Sequence, residues 1–185
     1  MAKEIYTTKD FVRASVINAL GNTDSLFRTS KRFANGGEIK MMRGVDKKKS
    51  DYKSILTVAR SFAEEGNKVE ILAPVHAKSN AYEHVYGTLK GTKYENKCPD
   101  LRINGKFYEF EGFVRPWNKR KISNMLSHGF AQSDRVIIDN SDGASDRFIR
   151  KAIDARRKLP NSQIKEVWLY EKGEKRLFYK DGIYK

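Results

Sequence analysis

The stretch PDLRINGKFYEFE, residues 99–111, constrains the fold most, because it predicts a β-hairpin in one register. Asn104-Gly105 suits a two-residue type I′ turn, since both residues tolerate positive φ. The pairs expected across this turn are Ile103 with Lys106, Arg102 with Phe107, Leu101 with Tyr108, and Asp100 with Glu109. Because side chains alternate between the faces of a strand, Leu101, Ile103, Tyr108 and Phe110 form an apolar core face.

The opposite face of the hairpin holds three acids, Asp100, Glu109 and Glu111. Like charges directly opposite each other destabilise a strand pair, so a cation should offset them. A divalent metal with oxygen ligands could do so, as could a lysine or arginine from another element. The third alternative is bulk water on an open face, with Arg102 and Arg115 balancing the charge.

The charge of the chain indicates its partners. Lys and Arg number 37 against 23 Asp and Glu in 185 residues, a formal net charge of +14, which favours a nucleic acid over a membrane surface. No apolar run approaches the length of a membrane span, and MAKEIYTTKD lacks a signal-peptide core. A single cysteine, Cys98, allows no internal disulfide, so we expect a cytoplasmic protein without a membrane partner.

The first 48 residues are expected to form an N-terminal helical extension or linker. One helix is predicted from Thr8 or Asp10 to Gly21, and a short second helix from Asp24 through Leu26, Phe27 and Phe33. The Gly- and Lys-rich stretch NGGEIKMMRGVDKKKSD is predicted to be a loop.

Residues 49–185 are expected to form one α/β domain. A helix is predicted from Ser50 or Asp51 to Gly66, then a strand at KVEILAP and the hairpin, with a helical turn at AYEHVY between them. A helix over about 118–130, a strand at RVIID, a helix over about 145–158 and a hairpin across Lys172-Gly173 follow. The fold class is thus α/β (α+β), with an αβββαβ core, a central mixed sheet, flanking helices and a C-terminal β-hairpin.

The helix over 118–130 is predicted to have two distinct faces. Ile122, Met125, Leu126 and Phe130 form its apolar stripe, while Lys121, Asn124, His128 and Gln132 share another face. His128 is a candidate general acid or base, and Trp117 could stack on a base. The full set of candidate nucleic-acid-binding residues is Arg115, Trp117, Asn118, Lys119, Asn124, Gln132, Arg147 and Arg150.

Two motifs resemble the PD-(D/E)xK nuclease superfamily, whose core order is also helix, three strands, helix, strand. Pro99-Asp100 stands where that family has PD, and Glu109-Phe110-Glu111 stands where it has acid-x-Lys. The chain from about 50 to 180, including Lys-x-Pro-Asp at 97–100 and QSDRVIID, also resembles CdiA-type C-terminal tRNase toxin domains. The barnase/EndoU/colicin/RelE group of metal-independent RNases is a second choice.

The resemblance implies an RNase that cleaves phosphodiester bonds, with tRNA as its substrate, DNA as an alternative and an immunity-type protein as partner. It implies that Asp100 and Glu109 hold Mg²⁺ or Mn²⁺ and that Glu111 assists them. The helix after Pro116 and its entrance offer Lys121 or Arg115 to stabilise the phosphorane. In a metal-free form, His128 would act as acid or base while Lys121 and Arg147 bind phosphate. The chain departs from the family in one position, because Glu111 replaces its lysine.

Two other functions stay open. One is a non-catalytic nucleic-acid-binding protein of a mobile element or phage on a degenerate nuclease fold. The other is a protein-interaction module whose basic face meets an acidic partner. Substitution of Glu109 separates the first of these from a nuclease: it would abolish cleavage if the protein is a nuclease, and it would leave binding nearly intact if the protein only binds nucleic acid.

Overall fold

A computed structural model describes residues 26–112, 118–141 and 143–185. The helices are α1 (Tyr52–Ala63), α2 (Asn80–Tyr86), α3 (Lys119–Gln132) and α4 (Asp146–Arg157), with a 3₁₀ turn at Gly87–Leu89. The strands are β1 (Phe27–Arg32), β2 (Glu38–Met42), β3 (Lys68–Ile71), β4 (Leu101–Ile103), β5 (Lys106–Glu111), β6 (Arg135–Asp139), β7 (Glu166–Glu171), β8 (Glu174–Lys180) and β9 (Ile183–Tyr184).

The nine strands form one mixed sheet in which sequence order is also spatial order, β1 to β9. The pairs β2–β3, β5–β6 and β6–β7 are parallel, and the remaining pairs are antiparallel. Each parallel pair is joined by a connection that contains a helix, as a parallel crossover requires. The predicted α+β fold with its central mixed sheet is confirmed.

The hairpin that the sequence predicts forms in the predicted register. Leu101 pairs with Tyr108, Arg102 with Phe107, and Ile103 with Lys106. Asn104 has φ 47° and Gly105 has φ 80°, the positive values that the tight turn needs. The C-terminal hairpin of β7 and β8 turns in the same way at Lys172 and Gly173, with φ 51° and 90°.

The sheet separates two helical layers. On one face, α1 packs its buried residues Ile55, Val58, Ala59, Phe62 and Ala63 against the apolar face of the hairpin and against Ile39, Val69 and Ile137. On the other face, α2 covers Met42, Leu72 and Phe107, while α3 and α4 cover Val136, Ile138 and Leu169. The apolar stripe predicted for α3 is buried here, as expected.

Two predictions for the first 48 residues are wrong where the structure describes them. The segment expected to be a short helix after Asp24 contains β1, and the segment expected to be a loop contains β2. Lys40 at the centre of EIKMM weakens the apolar pattern, but β2 is held between β1 and β3, so its neighbours bury Ile39 and Met42. The helix predicted for 8–21 lies outside the described residues, and the division into domains at residue 48 stays a prediction.

One edge of the sheet collects the ends of several strands. Because β2 and β3 are parallel, their carboxyl ends lie at the same edge, where β4 begins. The carboxyl ends of β5 and β6 lie there as well, because β5 is antiparallel to β4 and parallel to β6. Such edges commonly hold the ligand sites of α/β proteins.

Candidate functional site

The three hairpin acids come together at this edge of the sheet. Asp100 immediately precedes β4, while Glu109 and Glu111 lie near the end of β5. Their carboxylates interact electrostatically: Asp100 raises the pKa of both glutamates. A fourth acid, Asp51 just before α1, adds to the charge felt by Asp100 and Glu111. We call Asp51, Asp100, Glu109 and Glu111 the acidic cluster.

Lys49 supplies the cation that the acidic cluster needs. Its Nζ lies 2.9 Å from Asp51 Oδ2 and 3.9 Å from Asp100 Oδ1. Partial burial lowers the pKa of Lys49, but Asp100 and Asp51 outweigh that effect, so the pKa is raised and the ammonium stays charged. The Lys49 side chain is 56% exposed, against 28% for Asp51 and 19% for Asp100. The lysine therefore stands at the solvent side of the acids.

Hydrogen bonds satisfy only part of the acidic cluster. Asp100 Oδ2 accepts a hydrogen bond from the backbone N–H of Phe110 at 3.3 Å. By contrast, Glu109 Oε2 and Asp51 Oδ1 are buried and have no hydrogen-bond partner among the described residues. A buried carboxylate oxygen without a partner costs free energy, so the arrangement favours a cation or a proton donor at Glu109.

Burial and mutual repulsion shift the titration of all three hairpin acids in one direction. Burial raises the pKa of Asp100 to about 6, although Lys49 and the Phe110 N–H oppose the shift. Burial and the Asp100 charge raise the pKa of Glu111 to about 7. The pKa of Glu109 is raised well above its ordinary value by burial and by the charges of Asp100 and Glu111. Strongly perturbed carboxyls at a strand edge are typical of functional sites.

Arg102 does not balance the acids, although it lies on their face of the hairpin. Its guanidinium forms an ion pair with Glu70 on β3, and its Nη1 donates to the Val85 carbonyl of α2 at 3.1 Å. The open, solvated face considered from the sequence is also wrong for this half of the hairpin, because Phe107 is buried beneath α2.

Helix α3 passes close to Glu111 of the acidic cluster. A Cβ added at Gly129 would lie 2.9 Å from Val136 Cγ2 and 3.2 Å from Glu111 Cγ. Glycine is therefore the residue that lets α3 approach β5 and β6 at this point. Glu111 is consequently bordered by a helix backbone on one side, which contributes to its burial.

The polar stripe predicted on α3 is present as a surface. Asn124 and His128 are exposed, and Lys121 and Gln132 are half-buried. Asn118 caps the helix, because its Oδ1 accepts from the Lys121 backbone N–H at 3.0 Å.

The other predicted nucleic-acid contacts fall into two groups. Arg147 and Arg150 are exposed on α4, and the Arg150 guanidinium lies 4.5 Å from the Tyr184 ring centroid. Arg115, Trp117 and the side chain of Lys119 lie outside the described part of the chain. The roles of all these residues stay predictions.

The donor chemistry of the acidic cluster suits a hard divalent cation, which takes oxygen ligands. Among the described residues, no group of three or more His, Cys, Asp or Glu side chains is placed so that it could hold a metal ion together. Mg²⁺ usually keeps several waters and binds through one or two carboxylates. Asp100 and Glu109, whose Oε2 has no hydrogen-bond partner among the described residues, offer carboxylate oxygens of the kind that such an ion takes.

Lys49 and Asp51 were not predicted from the sequence as site residues. They lie in the DKKKSD run, which has the composition of a solvated linker. One sequence signal could have pointed to these two residues. They lie in a charged run directly before a predicted helix, and the helix holds such a run in place. Only the position of α1 beside the sheet edge shows that this run reaches the hairpin acids.

Comparisons with known proteins give one structural likeness. No family model and no curated protein matches the chain. A solved structure entitled "CdiA-CT/CdiI toxin and immunity complex from Burkholderia pseudomallei" contains a similar chain, with 20% identity and a TM-score of 0.47. The match covers 74% of this chain and 89% of that chain. Because that complex includes both a toxin and an immunity protein, the likeness by itself assigns neither role.

In the part of the chain that the structure describes, no helix is both long enough and apolar enough to span a membrane.

Proposed function

We propose that this protein is a nuclease that cleaves RNA, with tRNA as its substrate and the acidic cluster as its active site. The observation that carries the proposal is the pairing of buried, incompletely satisfied carboxylates with an exposed lysine at the carboxyl-end edge of the sheet. The net charge of +14 supports a polyanionic substrate. The resemblance of Pro99-Asp100 and Glu109 to nuclease motifs supports the reaction type.

In this proposal, Asp100 and Glu109 hold Mg²⁺ or Mn²⁺, and Glu111 assists them. When bound, such an ion stabilises negative charge on a phosphoryl oxygen and lowers the pKa of a coordinated water. Lys49 takes the part of the lysine that the family has at the position of Glu111. Its ammonium, held at the solvent side of the acids, is aimed at the charge that develops on the phosphate during cleavage.

A metal-independent RNase is a rival form of the same proposal. It would use His128 as general acid or base, with Lys121 and Arg147 binding phosphate. The exposed position of His128 on α3 is the observation that favours it.

The test is incubation of the purified protein with labelled total tRNA and with duplex DNA, each with Mg²⁺ or with EDTA. Cleavage of tRNA that requires Mg²⁺ is the expected result. Cleavage in EDTA would move the chemistry to His128, and retention of an intact polymer would favour a nucleic-acid-binding protein on a degenerate nuclease fold.

Glu109→Gln and Lys49→Met are the informative variants for this assay. Both should lose cleavage by more than 100-fold and keep tRNA binding within a few-fold, because neither removes a contact needed to hold the whole polymer. Glu174→Gln is the matched control, since Glu174 is exposed at the start of β8. Equal cleavage by all three variants would refute the assignment of the active site.

An immunity-type protein partner belongs to the same proposal, from the resemblance to CdiA-type toxin domains. If the protein is a toxin, its expression should arrest bacterial growth, and the Glu109→Gln variant should not. Growth arrest by the wild-type protein and by Glu109→Gln alike would separate toxicity from cleavage.

A further inference from the structure

A cavity of about 200 Å³ lies between α3 and α4 on the same side of the sheet as Glu109 and Glu111. It is lined by Ile122, Phe148, Lys151 and Ala152, which give it an apolar floor, an aromatic ring and one ammonium. It is smaller than the ~300–1,000 Å³ typical of sites for drug-sized ligands. A single planar group fits such a volume better than a whole metabolite.

Helix α4 carries several cations near this cavity, and Lys151 is one of the residues that line it. Arg147 and Lys151 are exposed one helical turn apart on α4, a spacing at which like charges repel. Arg156 donates from Nη2 to the Ser123 carbonyl at 3.4 Å, but its buried Nε has no partner among the described residues. Burial lowers the pKa of Arg156.

The acids of α4 are engaged elsewhere. Asp146 pairs with Arg176 of β8 at 2.6 Å. Asp154 accepts from the Tyr184 hydroxyl of β9 at 2.7 Å and lies 3.7 Å from Arg157. Neither carboxylate therefore neutralises Arg147 or Lys151, and no ion pair involves these two cations within the described ranges of the chain.

We propose that this groove between α3 and α4 binds one unstacked nucleotide of a single-stranded RNA segment, with its base in the cavity and its phosphates on Arg147 and Lys151. An apolar floor with an aromatic ring suits the π-face of a base, and arginine and lysine suit phosphate. The inference rests on the proposed function for the identity of its ligand, and it adds a substrate subsite on the same side of the sheet as Glu109 and Glu111.

The test measures binding without cleavage, in EDTA. A fluorescein-labelled single-stranded RNA hexamer is titrated with the wild-type protein and with Lys151→Glu, Ala152→Leu and Arg60→Glu. Arg60→Glu is the matched control, because Arg60 is exposed on α1, on the other face of the sheet, and its reversal changes the net charge equally. Lys151→Glu tests the phosphate contact, and Ala152→Leu fills the cavity without changing charge.

We expect Lys151→Glu and Ala152→Leu each to weaken hexamer binding about tenfold or more and Arg60→Glu to change it less than threefold. Duplex RNA should bind more weakly than the hexamer, because its bases are stacked. Equal weakening by Lys151→Glu and Arg60→Glu, or no effect of Ala152→Leu, would overturn the inference. Poly-glutamate binding that depends on Lys151 and matches the hexamer in affinity would also overturn it, in favour of an acidic protein partner.

Failure of the subsite and failure of the proposed function give different results. If tRNA is cleaved but groove variants bind the hexamer like wild type, the subsite is wrong and the nuclease proposal stands. If no polymer is cleaved but the groove variants lose hexamer binding, the subsite stands and the protein is a nucleic-acid-binding protein.

Discussion

Replacing Glu111 with glutamine should stabilise the metal-free protein above neutral pH. Burial and the Asp100 charge raise the Glu111 pKa from 4.5 to about 7, so the folded state holds a proton that the unfolded chain has already released. The protonated Glu111 contributes fully to the free energy of unfolding below the pKa of the unfolded chain, 4.5. That contribution is lost as the pH rises through the folded pKa of about 7. Glutamine removes the charge but keeps the shape, so it avoids that loss.

The size of the effect follows from the shift. Each pH unit corresponds to about 1.4 kcal/mol, which gives an upper limit of about 3 kcal/mol at pH 8.5. Glu111 is partly exposed, and solvent screening reduces the expected gain to about 1 to 2 kcal/mol. For a chain of this length, the melting temperature should rise by about 3 to 6 °C.

Thermal melts of Glu111→Gln and wild type in EDTA, at pH 5 and pH 8.5, measure this difference. The gain should be much smaller at pH 5, because the folded wild type keeps Glu111 protonated there and the unfolded chain, only slightly above its pKa of 4.5, gains little free energy by releasing the proton. Glu174→Gln should show no such pH dependence. A Glu111→Gln protein that melts at or below the wild-type temperature at pH 8.5 would show that the acidic cluster is not strained by its own charge.

Three further perturbations test the surrounding structure. Lys49→Met should lower the free energy of unfolding by about 1 kcal/mol at pH 8.5 and by less at pH 5, because it removes the cation that pairs with Asp100 and Asp51. Denaturant titration at both pH values measures this difference. An equal loss at the two pH values would contradict the electrostatic reason. Gly129→Ala should lower the free energy of unfolding by about 1 to 3 kcal/mol, because the added Cβ would lie 2.9 Å from Val136 Cγ2. Helix propensity alone predicts a more stable protein, and that result in the same denaturant titration would show that α3 can shift to make room for the methyl group. Glu166→Gln should lower the free energy of unfolding by about 2 to 4 kcal/mol in urea at pH 7. The buried Glu166 carboxylate accepts a hydrogen bond from the Tyr108 hydroxyl at 2.7 Å and lies 3.6 Å from Lys106 and 3.8 Å from Arg135. A loss no greater than that of Glu174→Gln would show that these contacts do not stabilise the opposite edge of the sheet.

The predictions that held were those set by short-range rules. The Asn104-Gly105 turn and the alternation of Leu101 and Ile103 fixed the hairpin register, and helical spacing fixed the buried stripe of α3. The strands at 27–32 and 38–42 were missed, because their exposed and charged residues carry little apolar pattern. The strand at 38–42 pairs with β3, which lies beyond α1 in the chain, and the strand at 27–32 pairs with the strand at 38–42 in turn.

For the candidate site, the sequence by itself determined that Asp100, Glu109 and Glu111 share one face of a hairpin, since a two-residue turn and a period of two leave no other register. The tertiary structure decided which cation meets them. Arg102, their neighbour in the hairpin, is bound by Glu70, whereas Lys49 reaches Asp100 from fifty residues away because α1 packs beside the same sheet edge. Local periodicity specifies which side chains share a face, but the packing of distant elements determines how deeply their charges are buried and what neutralises them.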